Sequence, residues 1–141
     1  INERTVLLNF LDHKEVILNN KNRVYDLKVI AGDQEYVKSM SQEILSSIPE
    51  EFSLGQNYPN PFNPITQMEY SLPQSSKVVI SIYNVLGQEI KTLVNKEQDY
   101  GYHSVSWDGT DRLGKSVASG VYFTQMRSDG FSQSKKMLLL K

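Results

Sequence analysis

The chain has 141 residues, a formal charge of −1, and 39% hydrophobic against 22% charged residues. That length suits one ordinary domain or two small ones with a real core, and the hydrophobic share excludes an acidic disordered chain. The near-neutral balance gives no broad pull toward nucleic acid or anionic lipid. The absence of cysteine removes disulfide scaffolds, thiolate zinc sites, iron–sulfur clusters and thiol nucleophiles.

The five prolines all lie between Pro49 and Pro73, and five of the eight glycines between Gly101 and Gly130. This punctuation divides the chain into residues 1–36, a linker at 37–56 and a second block at 57–141. The first block reads as strands. Val6, Leu8 and Phe10 alternate, as do Tyr25, Leu27 and Val29, with a turn at Asn19–Asn22 between the runs. So short a block is expected to be the last strands of an upstream β-domain. The chain opens on Ile1 without a signal-peptide pattern, which reads as a fragment or a processed product. Residues 37–48 are polar and serine-rich, with a short helix expected around Met40–Ile44. Pro49 disfavours helix at Ile48.

Next comes Gln56-Asn57-Tyr58-Pro59-Asn60-Pro61-Phe62-Asn63-Pro64. Its three prolines fix φ and remove three backbone donors, so it cannot be a central strand. It reads as a stiff lead-in whose Tyr58 and Phe62 dock on a domain, either as an edge-capping linker or as a recognition element.

The second block is strongly β. Met68, Tyr70 and Leu72 alternate, and Val78, Ile80 and Ile82 alternate up to a turn at Asn84–Gly87. Ile90–Val94, a strand carrying Val105 and Trp107, and Val121–Met126 follow. Asp129-Gly130 is a hairpin signal, and Phe131–Leu140 is the last strand. The pattern predicts an antiparallel, immunoglobulin-like sandwich with Trp107 at its centre. Met137–Leu140 is apolar on both faces. One face enters the core. The other is either covered by the first block or free for strand addition onto a receptor.

Catalytic signals are missing. His13 follows Asp12 in a polar turn, and His103 shares a strand face with Val105 and Trp107. Neither has a positioned nucleophile, and the expectation is no enzyme and no cofactor. Asp108 and Asp111 form a weak calcium candidate, better explained as carboxylates holding their own turns. Tyr100 and Tyr102, flanking Gly101, form a weak sugar-stacking candidate against half-buried packing.

Together QNYPNPFNP, SIYNVLGQEIKTLV, HSVSWDGTDRLGKSVASGVYF and SKKMLLLK resemble the type A C-terminal sorting domain of type IX (Por) secretion cargo. The resemblance covers residues 52–141. The WDG…GVY portion also resembles the Ig-like domain of flagellar hook-capping proteins. The resemblance implies a non-catalytic sandwich that crosses the periplasm and directs an N-terminal cargo to the outer-membrane surface or beyond. It implies as partners an outer-membrane translocon, a shuttle protein, a sortase-like surface protease and the parent's cargo domains. The charge balance, with no basic stripe, adds no expectation of a nucleic-acid partner. The family's motifs fall on Pro59, Asn60 and Pro61, on Leu86-Gly87, on Gly120, Val121 and Tyr122, and on Lys135, Lys136, Met137, Leu138, Leu139, Leu140 and Lys141. Residues 37–57 are by composition the accessible place for cleavage. The rival expectation is an Ig-like structural or binding module serving adhesion, fibre assembly or carbohydrate binding.

Overall fold

A computed structural model describes the backbone of residues 5–8, 15–20 and 23–28, and residues 39, 42–43 and 46–141 in full. The chain forms two compact units, Ile1–Ile48 and Pro49–Lys141. In the first, β1 (Thr5–Leu8), β2 (Glu15–Asn20) and β3 (Arg23–Lys28) form an antiparallel sheet in that order. β2 and β3 pair with Asn20 opposite Arg23; Lys21 and Asn22 of the expected turn lie outside the described residues. Residues 39, 42–43 and 46–47 are helical. Phe10, Asp12, His13, Val29, Met40 and Ile44 lie outside the described residues.

The second unit contains two antiparallel sheets. One has the order β10-β9-β6-β7, built from β6 (Ser76–Asn84), β7 (Glu89–Gln98), β9 (Gly120–Ser128) and β10 (Phe131–Leu139). The other has the order β4-β5-β8, built from β4 (Ser53–Leu54), β5 (Thr66–Leu72) and β8 (Gly101–Trp107). Strand β4 lies inside the segment read as linker and pairs with β5. Alternation along each strand places one face inward. Met68, Tyr70 and Leu72 face Val78, Ile80 and Ile82 across the sandwich, all at most 2% exposed. The Asp129-Gly130 corner has φ of 45° and 81°, the two left-handed residues of a type I′ hairpin turn.

Trp107 is 1% exposed and, as the last residue of β8 opposite the first of β5, sits toward one end of the core and not at its centre. Its ring lies 5.6 Å from Phe62 and 5.1 Å from Tyr122, the latter edge-on, a favoured aromatic geometry. Its indole N–H donates to the Thr110 carbonyl (2.9 Å), and the Tyr122 hydroxyl donates to the Ala118 carbonyl (2.7 Å). Two core aromatics thus use their polar tips to hold the β8–β9 loop. Gly109 in that loop has φ of 68°, and a Cβ there would stand 3.3 Å from the Pro64 carbonyl oxygen. Loop and lead-in therefore approach closely enough to crowd a side chain at this position, and the positive φ independently favours glycine.

Candidate functional site

The lead-in and the last strand form one unit of structure. Prolines at 59, 61 and 64 leave few backbone donors in the segment, and Phe62 supplies one of them. Its N–H donates to the Leu138 carbonyl (3.0 Å) and its carbonyl accepts from the Leu140 N–H (3.0 Å). This makes a parallel bridge between Phe62 and Leu139. Side chains extend the pairing: Leu138 N–H donates to Asn60 Oδ1 (3.0 Å), and Gln56 Nε2 donates to the Lys136 carbonyl (2.8 Å). Further back, Tyr58 exchanges two hydrogen bonds with Gln67 of β5. The lead-in thus spans both sheets and closes one side of the sandwich. Asn57, 2% exposed, fixes its shape by donating to Thr66 Oγ1 (2.9 Å) and to the Pro59 carbonyl (3.1 Å).

The edge of β10 is therefore capped over its last third by the lead-in. Of the two aromatic docking residues expected there, Phe62 enters the core at 2% exposure, while Tyr58 stays 82% exposed. Leu138 bonds outward through both backbone groups, so by period two Lys136, Ser134 and Ser132 also turn their backbones to that edge.

The motif residues divide by role. Tyr122, Met137 and Leu139 are core, with the last two fully buried. Gly87, in the β6–β7 turn, and Gly120, the first residue of β9, have positive φ. Val121 and Leu138 are half-buried cross-strand partners on the outer face of the four-stranded sheet. Lys136 and Phe123 form the next pair, with Tyr83 opposite Phe123 on β6. Tyr83, Phe123, Gln125 and Ser134 line a shallow depression of about 330 Å³ bounded by Val85 and Gly87. The outer face is thus apolar toward the Gly87–Leu138 end, then polar through Ser134, Gln125, Ser81 and Thr92. Pro59, Asn60, Pro61, Leu140 and Lys141 are exposed around this end, and Lys135 is half-buried on β10. Sequence reasoning missed Gln56, Asn57, Tyr83 and Phe123. The signal for the last two was their parity with Val121 on adjacent strands.

The acidic pair holds its own loop. Asp108 Oδ1 accepts from the Thr110 hydroxyl (2.5 Å) and N–H (3.2 Å) and lies 3.4 Å from Lys91 Nζ. Asp111 Oδ1 accepts from the N–H groups of Leu113 (2.9 Å) and Lys115 (3.0 Å). The Thr110 hydrogen bond holds the Asp108 carboxyl below its ordinary range; burial opposes it and the nearby Lys91 ammonium adds to it. A depressed folded-state pKa gives stability that is present above the unfolded value, about 4, and lost as pH falls through the folded one. Asp108→Asn is therefore expected to flatten the acid limb of a plot of thermal midpoint against pH, below the unfolded value of about 4.

His103 stacks on Tyr70 at 5.4 Å and its Nε2 lies 2.8 Å from the Asp99 carbonyl. It is tied to the β7–β8 turn. Burial raises the pKa of Tyr70, opposed by a hydrogen bond to Gln98, and burial raises that of Tyr122. Tyr102 stands 72% exposed and Tyr100 half-buried.

Residues 65–130 match the family model of the FlgD Ig-like domain. No curated protein sequence matches the chain. Among solved structures, dimeric latent PorU from Porphyromonas gingivalis aligns with a TM-score of 0.53 at 15% identity, over 89% of this chain and 12% of that one. PorZ, a surface component of the type IX secretion system of the same organism, aligns at 0.45 and 15%, over 97% and 16%. FlgD from P. aeruginosa aligns at 0.41 and 27%, over 53% and 59%. The chain thus spans a small part of the first two and just under three-fifths of the third. The PorU alignment shows a shared fold. The second unit is an Ig-like β-sandwich domain.

Proposed function

We propose that the second unit is a non-catalytic sorting domain that directs a larger cargo across the outer membrane to the cell surface. The carrying observation is convergence. Segments distant in sequence, the Pro59–Pro61 lead-in, the Gly87 turn, the Gly120–Tyr122 strand start and the Lys135–Lys141 terminus, come together at one end and edge of the sandwich. Val121, Phe123, Tyr83 and Leu138 add a half-buried apolar cluster on the outer face of the same end. In this reading that face and the capped edge are read by a translocon and its shuttle protein, and a surface protease acts upstream of the domain. The route runs through the periplasm to the surface or medium. The FlgD Ig-like match favours the rival reading, a structural or binding module retained in an assembly.

The test fuses the whole chain behind a signal peptide and a fluorescent reporter in a host with a type IX system. The fusion is expected to reach the surface or medium. A matched fusion carrying Val121→Ser and Phe123→Ser is expected to stay in the periplasm with its fold intact. Retention of the unsubstituted fusion would sink the sorting reading and favour the module.

A further inference from the structure

Hydrophobic exposure in the second unit is unevenly distributed. Every large aliphatic side chain exposed among the described residues lies at one end: Ile65 (58%), Val85 (68%), Leu86 (79%), Leu113 (86%) and Leu140 (49%). Scattered singly, such residues need no explanation; gathered, they do. Hydrogen bonds establish the common end. Arg112 N–H donates to the Ile90 carbonyl (3.1 Å), joining the β8–β9 loop to the start of β7 beside the Val85–Leu86 turn. Lys141 N–H donates to Ser119 Oγ (3.1 Å), and Gly109 lies against Pro64 and Leu139. Leu86 and Leu113 occupy the tips of two separate turns, closed by Gly87 N–H to the Asn84 carbonyl and Gly114 N–H to the Asp111 carbonyl (3.0 Å each).

Charge at this end is asymmetric even though the chain as a whole is balanced. Its carboxylates are engaged by local donors: Glu89 by the Thr92 hydroxyl, Asp108 by Thr110 and Lys91, Asp111 by two backbone N–H groups. The side chains of Arg112, Lys115, Lys136 and Lys141 have no partner among the described residues. Arg112 directly precedes Leu113, and Lys115 follows it two residues on.

We propose that this end docks on an anionic lipid surface, with Leu86 and Leu113 entering the acyl boundary and the surrounding cations meeting phosphate headgroups. Aliphatic tips on separate turns suit a fluid interface, which closes around each tip independently. A protein pocket favours a contiguous aromatic centre instead. Each lysine or arginine near such a surface adds attraction that salt weakens. No helix among the described residues is long and apolar enough to span a bilayer, and the mode proposed is surface attachment. It is independent of the sorting role.

The test is sedimentation of the full chain with vesicles of phosphatidylcholine alone and of phosphatidylcholine mixed with phosphatidylglycerol. Binding is expected to the mixed vesicles only, and to weaken as salt rises. Leu86→Ser combined with Leu113→Ser is expected to weaken it by about a hundredfold, taking about tenfold for each leucine withdrawn from an apolar phase. Both side chains are exposed, so an unchanged thermal midpoint confirms that the variant is folded. No binding to either vesicle, or binding unchanged in the double variant, overturns the proposal. If vesicles are not bound and the double variant fails in the surface-delivery assay, this end reads a protein instead. Vesicles contain no secretion machinery, so failure here leaves the sorting reading to its own assay.

Discussion

Trp107→Ala is expected to lower the stability of the second unit by about 3–5 kcal/mol, the range for truncating a core aromatic. That is a large share of the roughly 5–15 kcal/mol that holds a typical domain folded. The loss has three parts. The indole fills the space between Phe62 and Tyr122, so its removal leaves a cavity lined by lead-in and β9. Its N–H bond to the Thr110 carbonyl disappears. Phe62 then loses the surface on which it rests, and the lead-in loses its apolar anchor. Urea unfolding followed by far-ultraviolet circular dichroism measures the effect, because the variant has no tryptophan left to report. The midpoint should fall steeply. Trp107→Phe keeps most of the ring contact and loses the donor, and should cost much less. Equal midpoints for Ala and the unsubstituted chain would show that the aromatic end contributes nothing.

The sandwich was legible because each of its longer strands carries its own local evidence. Val78, Ile80 and Ile82 alternate in sequence and are all fully buried, and Asp129-Gly130 states its turn type in two residues. Trp107 was legible as core but not as an end piece. Its position depends on Phe62, which is 45 residues away in sequence. The lead-in was the hardest part. Its prolines correctly excluded a central strand, yet they do not exclude pairing through the single intervening Phe62 or through the side chains of Asn60 and Gln56. Nothing local to the terminal strand says that an asparagine 78 residues upstream accepts from Leu138. The sequence reading left that strand either open or covered by the first block. Its edge carries a cap from within the second unit, a pairing that neither alternative described. The outer apolar face was hidden for a related reason. Tyr83, Phe123, Val121 and Leu138 become neighbours only when the register of β6, β9 and β10 is known.

Deleting residues 135–141 is expected to unfold the second unit, a larger effect than loss of a flexible tail. Met137 and Leu139 are both fully buried, and losing either costs about 2–5 kcal/mol by analogy with large-to-small core changes. The deletion also strips Phe62, Asn60 and Gln56 of their partners. It leaves β9 from Gly120 to Thr124 as an unpaired edge, which invites association between chains. Circular dichroism should show a broad, weak transition, and size-exclusion chromatography should show aggregates. A sharp native-like transition would mean that β10 is an accessory strand. Loss of export after this deletion therefore reports folding as well as recognition. Leu138→Ser separates the two. Its side chain lies on the outer face, half-buried, and its backbone bonds to Asn60 and Phe62 do not depend on its identity. The variant should keep a cooperative transition, with stability changed by no more than about 1 kcal/mol. Under the sorting proposal, the corresponding fusion should still remain in the periplasm. A folded Leu138→Ser fusion delivered as well as the unsubstituted one would show that the terminal strand serves the sandwich and that its outer face is not read.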